Sequence, residues 1–157
     1  MEYLAGMLAR VVRELEESAV PDEALATLKR SRFGGVKLVP LKPGRGGRAW
    51  RLGVILLARD GTLYASGEVT RAVEPQRGVA NKSQEAEDRR ELRRAAVRGR
   101  FPEGEVVNFG FTPIDVEAAS GPVTVVDGIP LVRWNRAANP RPLEAYLAKR
   151  IALLTDD

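Results

Sequence analysis

Residues 50–70 read WRLGVILLARDGTLYASGEVT, and this stretch decides the fold class. Two runs rich in β-forming residues, 50–58 and 62–72, stand on either side of Asp60-Gly61. Asp-Gly between two such runs is the strongest short-range signal for a β-hairpin, because both central residues of a type I′ turn need positive φ. Apolar and polar residues alternate in the second run, which indicates a strand with one buried and one exposed face. The stretch therefore predicts two antiparallel strands joined by a tight turn.

The same turn signal recurs at Asp127-Gly128, between the runs 123–126 and 129–134. It predicts a second β-hairpin for the same reason. Two further strands are predicted at 36–41 and 105–111.

Helices are predicted at the start, middle and end of the chain, where apolar residues recur at spacings of three and four. In the segment 21–30, proline suits the first helical turn and the acidic residues after it suit the helix dipole. Ser83 is placed to cap the middle helix. The predicted helices cover 3–17, 21–30, 83–98 and a closing segment that starts at 139–142 and continues to Leu154.

This order of elements predicts an α+β fold. We expect an antiparallel sheet of five to six strands, open or barrel-like, with N-terminal, middle and C-terminal helices packed on it. At 157 residues the chain has the length of one typical domain. One domain over 1–157 is therefore predicted, with a helical N-terminal segment at 1–33 and an α+β body at 34–157.

The sequence contains no cysteine and no histidine. Disulfides, thiolate or imidazole catalysis and zinc sites built from these ligands are therefore excluded. We accordingly expect no metal and no cofactor. An enzyme of this composition would use carboxylates, Lys, Arg, Tyr, Ser/Thr or a bound hard cation such as magnesium, and no pattern identifies a catalytic residue. The carboxylate candidates near strand ends are Glu68, Glu105, Asp115 and Glu117.

Basic charge is concentrated in the middle of the chain: residues 31–100 carry 16 basic and 7 acidic side chains. This imbalance indicates an anionic partner. The predicted helix 83–98 supplies the candidate nucleic-acid contacts Arg89, Arg90, Arg93, Arg94 and Arg98. The alternative is a self-neutralising solvated helix, with intrahelical pairs such as Glu85–Arg89 and Glu91–Arg94. Both interpretations stay open at this point.

The loop 44–48, of sequence GRGGR, is a second candidate for anion binding. Glycines let backbone N–H groups approach a phosphate, and the arginines supply charge. The loop leads into a predicted strand instead of a helix, so it matches neither a Walker A motif nor a dinucleotide fingerprint. A flexible hairpin loop is the alternative.

Both tryptophans stand beside arginines in predicted strands, as Trp50-Arg51 and Arg133-Trp134. Because successive strand residues face opposite sides, either a ligand-binding cluster or buried tryptophans beside exposed arginines could result. The candidate ligand-binding residues of the sequence are Arg48, Trp50, Arg51, Asn108, Asp115, Arg133 and Trp134.

Four segments carry a resemblance: 48–54 (RAWRLGV), 60–65 (DGTLYA), 104–109 (GEVVNF) and 130–134 (PLVRW). They resemble a group of small uncharacterised proteins of GC-rich bacteria, some of which carry a glutaminase label. The residues do not support that label. Serine-dependent glutaminases use Ser-x-x-Lys, and no serine here has lysine three residues on; the amidotransferase type needs the cysteine and histidine that this chain lacks.

The sequence therefore predicts a non-enzymatic binding or interaction module, with homo-oligomers or an anionic ligand as partners. The alternative is a basic module that binds nucleic acid or a phosphorylated ligand. No apolar run approaches the roughly 20 residues of a membrane span, so we expect no membrane partner. A cytoplasmic location is expected.

Overall fold

The computed structural model describes residues 2–32, 34–41, 47–75, 83–118, 121–135 and 137–155. These residues form three helices and eleven strands, which confirms the α+β class. The helices are α1 (Glu2–Glu17), α2 (Gln84–Arg98) and α3 (Leu143–Thr155). The strands are β1 (Glu23–Arg30), β2 (Val36–Pro40), β3 (Arg48–Leu52), β4 (Ile55–Ala58), β5 (Leu63–Ala65), β6 (Glu68–Arg71), β7 (Val106–Phe109), β8 (Thr112–Pro113), β9 (Val123–Val126), β10 (Ile129–Val132) and β11 (Arg141–Pro142).

The chain divides into two compact units, each assembled from separate stretches of sequence. Unit 1 comprises Met1–Asp22, Ala49–Ser66 and Thr112–Asp157. Unit 2 comprises Glu23–Arg48 and Gly67–Phe111. The prediction of one domain over 1–157 stays a prediction.

Unit 1 packs two helices and two groups of antiparallel strands around one apolar core. Its strands run in the orders β3-β4-β5-β8 and β11-β10-β9. The predicted stripe of α1 is buried, whereas Leu154, expected in the stripe of α3, is exposed. The core residues outside α1 include Trp50, Leu52, Ile55, Leu57, Val123, Val132, Leu143, Leu147 and Ile151.

Both predicted hairpins of unit 1 are confirmed, with different turns. Strands β9 and β10 are joined by Asp127 and Gly128 at φ 51° and 79°, as a type I′ turn requires. Between β4 and β5 only Gly61 has positive φ, at 89°. There the amide of Gly61 donates to the carbonyl of Ala58 at 2.9 Å, which makes a three-residue loop with a glycine bulge.

The predicted strand 50–58 is wrong as a single strand, because the chain reverses at Gly53. Gly53 has φ 69°, and a Cβ atom there would lie 1.9 Å from the Tyr146 hydroxyl. That hydroxyl donates to the carbonyl of Leu52 and accepts from the amide of Val54, both at 3.0 Å. The predicted strand 62–72 likewise divides into β5 and β6.

Unit 2 corrects the expectation of an antiparallel sheet. Its strands run in the order β6-β7-β1-β2, and β1 pairs with β7 in parallel, so the pairing is mixed. The described residues form eleven strands instead of the five or six expected. None of their strand orders closes on itself, so these residues form no barrel.

The predicted helix 21–30 is wrong, because residues 23–30 form β1. The acidic start and the Ala-Leu-Ala run suit a helix locally. In the structure Ala24, Leu25 and Ala26 are all buried, and the strand pairs with both β2 and β7. Burial and pairing with distant strands therefore override the local preference.

Helix α2 covers one face of unit 2 and begins where the sequence predicted. The Oγ of Ser83 accepts a hydrogen bond from the amide of Ala86 at 3.1 Å, which caps the helix. The core beneath it consists of Ala24, Ala26, Leu38, Ala72, Ala95, Ala96, Val107 and Phe109.

No helix within the described ranges is both long and apolar enough to cross a bilayer. The cytoplasmic location stays a prediction.

Candidate binding site

Three of the five candidate arginines of α2 form a network of ion pairs with glutamates of the same helix. Arg90 and Arg94 contact Glu87 at 3.1 and 3.2 Å. Glu91 accepts from Arg94 at 3.3 Å and from Arg98 at 2.9 Å. Hydrogen bonds from Arg94 and then Arg90 lower the pKa of Glu87, and the bond from Arg98 is the main cause of the lowered pKa of Glu91. The predicted Glu91–Arg94 pair is thus confirmed.

The remaining two, Arg89 and Arg93, are exposed on a different side of α2. Neither has an ion-pair partner in the described part of the chain, and the predicted Glu85–Arg89 pair is not formed there. Both line a groove of about 280 Å³ in unit 2, which we call the basic groove. Its lining residues are Val69, Thr70, Arg71, Arg89, Leu92 and Arg93.

The floor of the basic groove is the edge of β6, which pairs only with β7 among the described strands. Ala72, just after β6, donates to the carbonyl of Glu105 and accepts from the amide of Gly104, both at 2.9 Å. Successive residues of a strand direct their backbone groups to opposite sides, so Thr70 also faces β7. The N–H and C=O of Val69 and the N–H of Arg71 therefore lie along the open edge.

Trp50, a predicted ligand contact, is a core residue of unit 1. It is 1% exposed, its indole N–H donates to the carbonyl of Val20 at 2.9 Å, and the Arg59 guanidinium lies 4.7 Å from its ring centre. Arg51 is exposed. This is the buried-tryptophan alternative that the sequence left open.

Trp134 is half-buried, with the Arg141 guanidinium 4.7 Å from its ring centre, while Arg133 is exposed. Arg133 lines a separate depression of about 510 Å³ with Glu117 and residues of β9 and β10. Asp115 accepts a hydrogen bond from the amide of Glu117 at 3.0 Å, which supports a turn.

Arg48 and Asn108 belong to unit 2, apart from the other predicted ligand contacts. Arg48 forms an ion pair with Glu105 at 2.6 Å. Asn108 is 0% exposed, and its Nδ2 donates to Glu23 at 3.0 Å and to the carbonyl of Ala24 at 3.3 Å. Its Oδ1 accepts no hydrogen bond from the described residues, which costs about 1–3 kcal/mol. The seven candidate ligand contacts thus do not share one unit.

The four candidate carboxylates are divided between the two units. Glu68 and Glu105 belong to unit 2, whereas Asp115 and Glu117 belong to unit 1. A general acid needs a raised pKa. Within the described residues, the carboxyl groups of Asp60, Glu87 and Glu91 have a lowered pKa, because hydrogen bonds favour their ionised form.

The glycine-rich loop 44–48 lies mostly outside the described residues, which resume at Gly47. Phosphate binding by this loop stays a prediction.

The sequence pointed to Arg89 and Arg93 but not to Arg71. For Arg93 a signal was present, because no acidic residue stands three or four positions from it. For Arg89 there was none, because Glu85 precedes it by four residues, a spacing that predicts an ion pair. Nothing local relates Arg71 on β6 to α2, because their proximity comes from tertiary packing.

Comparison with protein-family models, with curated protein sequences and with solved structures gives no match.

Proposed function

We propose that the protein is a non-enzymatic binding module that takes an anionic partner in the basic groove. The observation that carries the proposal is the separation of charge on α2. Arg90, Arg94 and Arg98 form ion pairs with Glu87 and Glu91, whereas Arg89 and Arg93 line a groove to which the described residues contribute no acidic side chain. Arg71 of β6 also lines the groove, and its guanidinium donates to the carbonyl of Gly104 at 3.5 Å.

The composition of the groove favours binding over catalysis. Arginine stays protonated under all ordinary conditions, so it cannot serve as an acid or base near neutral pH. Guanidinium groups are well suited to hold carboxylate or phosphate groups through paired hydrogen bonds. Leu92, which lines the groove on α2 with the two arginines, reduces competition from water, which strengthens such bonds.

The test is a fluorescence titration with two labelled anionic probes, a short Glu-Val peptide and a mixed-sequence single-stranded oligonucleotide. We expect at least one probe to bind at about 50 mM salt and to weaken strongly at about 200 mM, because salt screens charge. The variant Arg89→Gln with Arg93→Gln should lower its affinity at least about tenfold, since each charge-assisted bond contributes roughly 1.5–3 kcal/mol.

The matched control is Arg10→Gln with Arg13→Gln, two exposed arginines of α1 in unit 1. Both double variants lower the formal net charge from +4 by the same two units. The control should bind as the unmodified protein does. Equal weakening by both variants, or no binding of either probe at low salt, would contradict the proposal.

A further inference from the structure

The open edge of β6 gives the basic groove a second property besides charge. A strand edge presents both N–H donors and C=O acceptors, here from Val69 and Arg71, in a row. Only an occupant with alternating donors and acceptors can satisfy both kinds of group. An extended peptide has that pattern, whereas a phosphate backbone offers acceptors alone.

Strand β2 lies at the other end of the strand order of unit 2, β6-β7-β1-β2, and α2 packs against it differently. Helix α2 contacts it closely: the Arg98 guanidinium donates to the carbonyl of Val36 at 2.7 Å, and Gly99 packs against the carbonyl of Leu38. Between α2 and β6, in contrast, lies the basic groove, which the helix lines with Arg89, Leu92 and Arg93. A groove between an edge strand and a helix is a geometry in which peptides bind by adding a strand.

We infer that the basic groove binds an acidic peptide in extended conformation, which adds as a strand along the open edge of β6. This inference rests on the proposed function and names its partner. It also specifies a sequence pattern. Arg89 and Arg93 both line the α2 side of the groove, and alternate side chains of an added strand share one side.

Acidic side chains at alternate positions of the added strand therefore match the two helix arginines. The residues between them face the opposite side, where Val69 is 41% exposed and apolar. The pattern that fits is acidic and β-branched apolar residues in alternation.

Charge favours such a peptide over a second copy of this chain. Two copies paired through β6 would bring two sets of Arg71, Arg89 and Arg93 to the same edge, and like charges oppose that pairing.

The experiment uses the alternating Glu-Val peptide and two backbone N-methylated forms of it. In one form the odd-numbered residues carry the methyl groups, and in the other the even-numbered residues do, so side chains and charge are identical. In an added strand only one alternate set of N–H groups faces β6. We expect one methylated form to lose at least about tenfold in affinity, and the other to bind within a small factor of the parent.

Amide hydrogen exchange of the full chain supplies the protein-side measurement. The amides of Val69 and Arg71 should exchange more slowly with the parent peptide bound, and they should not slow with the methylated form that fails to bind.

Each other outcome overturns the inference in a recognisable way. If both methylated forms bind like the parent, charge alone holds the peptide, and the proposed function survives without strand addition. Tighter binding of the oligonucleotide than of the peptide would make nucleic acid the partner. Concentration-dependent protection of Val69 in the protein alone, with dimers in sedimentation, would make a second copy the occupant. If no anionic probe binds, the proposed function fails as well.

Discussion

A side chain at Gly99 would clash with the backbone of β2. The residue ends α2 at φ −74°, an angle open to any residue, and its N–H donates to the carbonyls of Ala95 and Ala96 at 3.1 Å. What requires glycine is space, because a Cβ atom there would lie 1.9 Å from the carbonyl oxygen of Leu38. The missing methyl group therefore sets how closely α2 approaches β2.

Gly99→Ala should lower the free energy of unfolding by about 2–3 kcal/mol, since the helix end must move away from the strand. Urea denaturation monitored by circular dichroism measures this change. The matched control is Gly6→Ala in α1, where nothing lies within 4 Å of the added Cβ atom. That substitution should raise the free energy of unfolding by about 0.5–1 kcal/mol through helix propensity. Equal effects of the two would rule out the steric explanation.

Helix α2 uses its two exposed sides differently. One side carries the network of Glu87 and Glu91 with Arg90, Arg94 and Arg98, and another carries Arg89 and Arg93 at the basic groove. Local ion pairs hold Arg90, Arg94 and Arg98 in this network. On the groove side, Arg89 and Arg93 remain available to pair with an anionic partner.

The ion-pair network should make the free energy of unfolding depend on pH in the acid range. Its arginines lower the pKa of Glu87 and Glu91 below the ordinary value of 4.5. A lowered pKa in the folded state stabilises the fold above pH 4.5, and this contribution is lost as the pH falls through the folded-state value. Arg94→Gln should therefore destabilise the protein at neutral pH, and the difference from the unmodified protein should shrink as the pH falls below 4.5.

Denaturation at several pH values, at low salt, measures that difference. The control is Arg93→Gln, since Arg93 has no ion pair within the described residues. It should show no comparable dependence on acid. Parallel curves for Arg94→Gln and the unmodified protein would contradict the prediction.

Elements with local signals were predictable from sequence, and elements that depend on distant partners were not. Ser83 caps α2 and Asp127-Gly128 forms its turn through interactions within a few residues. Strand β1 depends on pairing with β2 and β7, of which β7 lies far along the chain. Likewise, the reversal at Gly53 is set by Tyr146, which no local pattern reveals.

At the scale of the whole molecule, the described residues form two apolar cores, one in each unit. The chain passes from one unit to the other at residues 22–23, 48–49, 66–67 and 111–112. Neither unit is therefore a continuous stretch that could fold before the rest of the chain is placed. The basic groove also depends on the complete fold of unit 2, because Arg71 and α2 come together only there.

We expect one cooperative unfolding transition, in line with a single domain. Differential scanning calorimetry should give a calorimetric enthalpy equal to the van't Hoff enthalpy, which is the criterion for two-state behaviour. Two resolved heat-absorption peaks, or a calorimetric enthalpy well above the van't Hoff value, would show that the units unfold separately.

The burial of Trp50 gives the two units different optical signatures. Both tryptophans, Trp50 and Trp134, belong to unit 1, and unit 2 contains none. Indole emission therefore reports on unit 1 alone. Trp50 is buried beneath the Arg59 guanidinium, and its emission should shift to longer wavelengths when unfolding exposes the ring to water. Far-ultraviolet circular dichroism, by contrast, also records α2. Heating curves followed by emission and by dichroism thus observe different parts of one chain, and a tryptophan introduced into unit 2 would make that unit visible by emission as well.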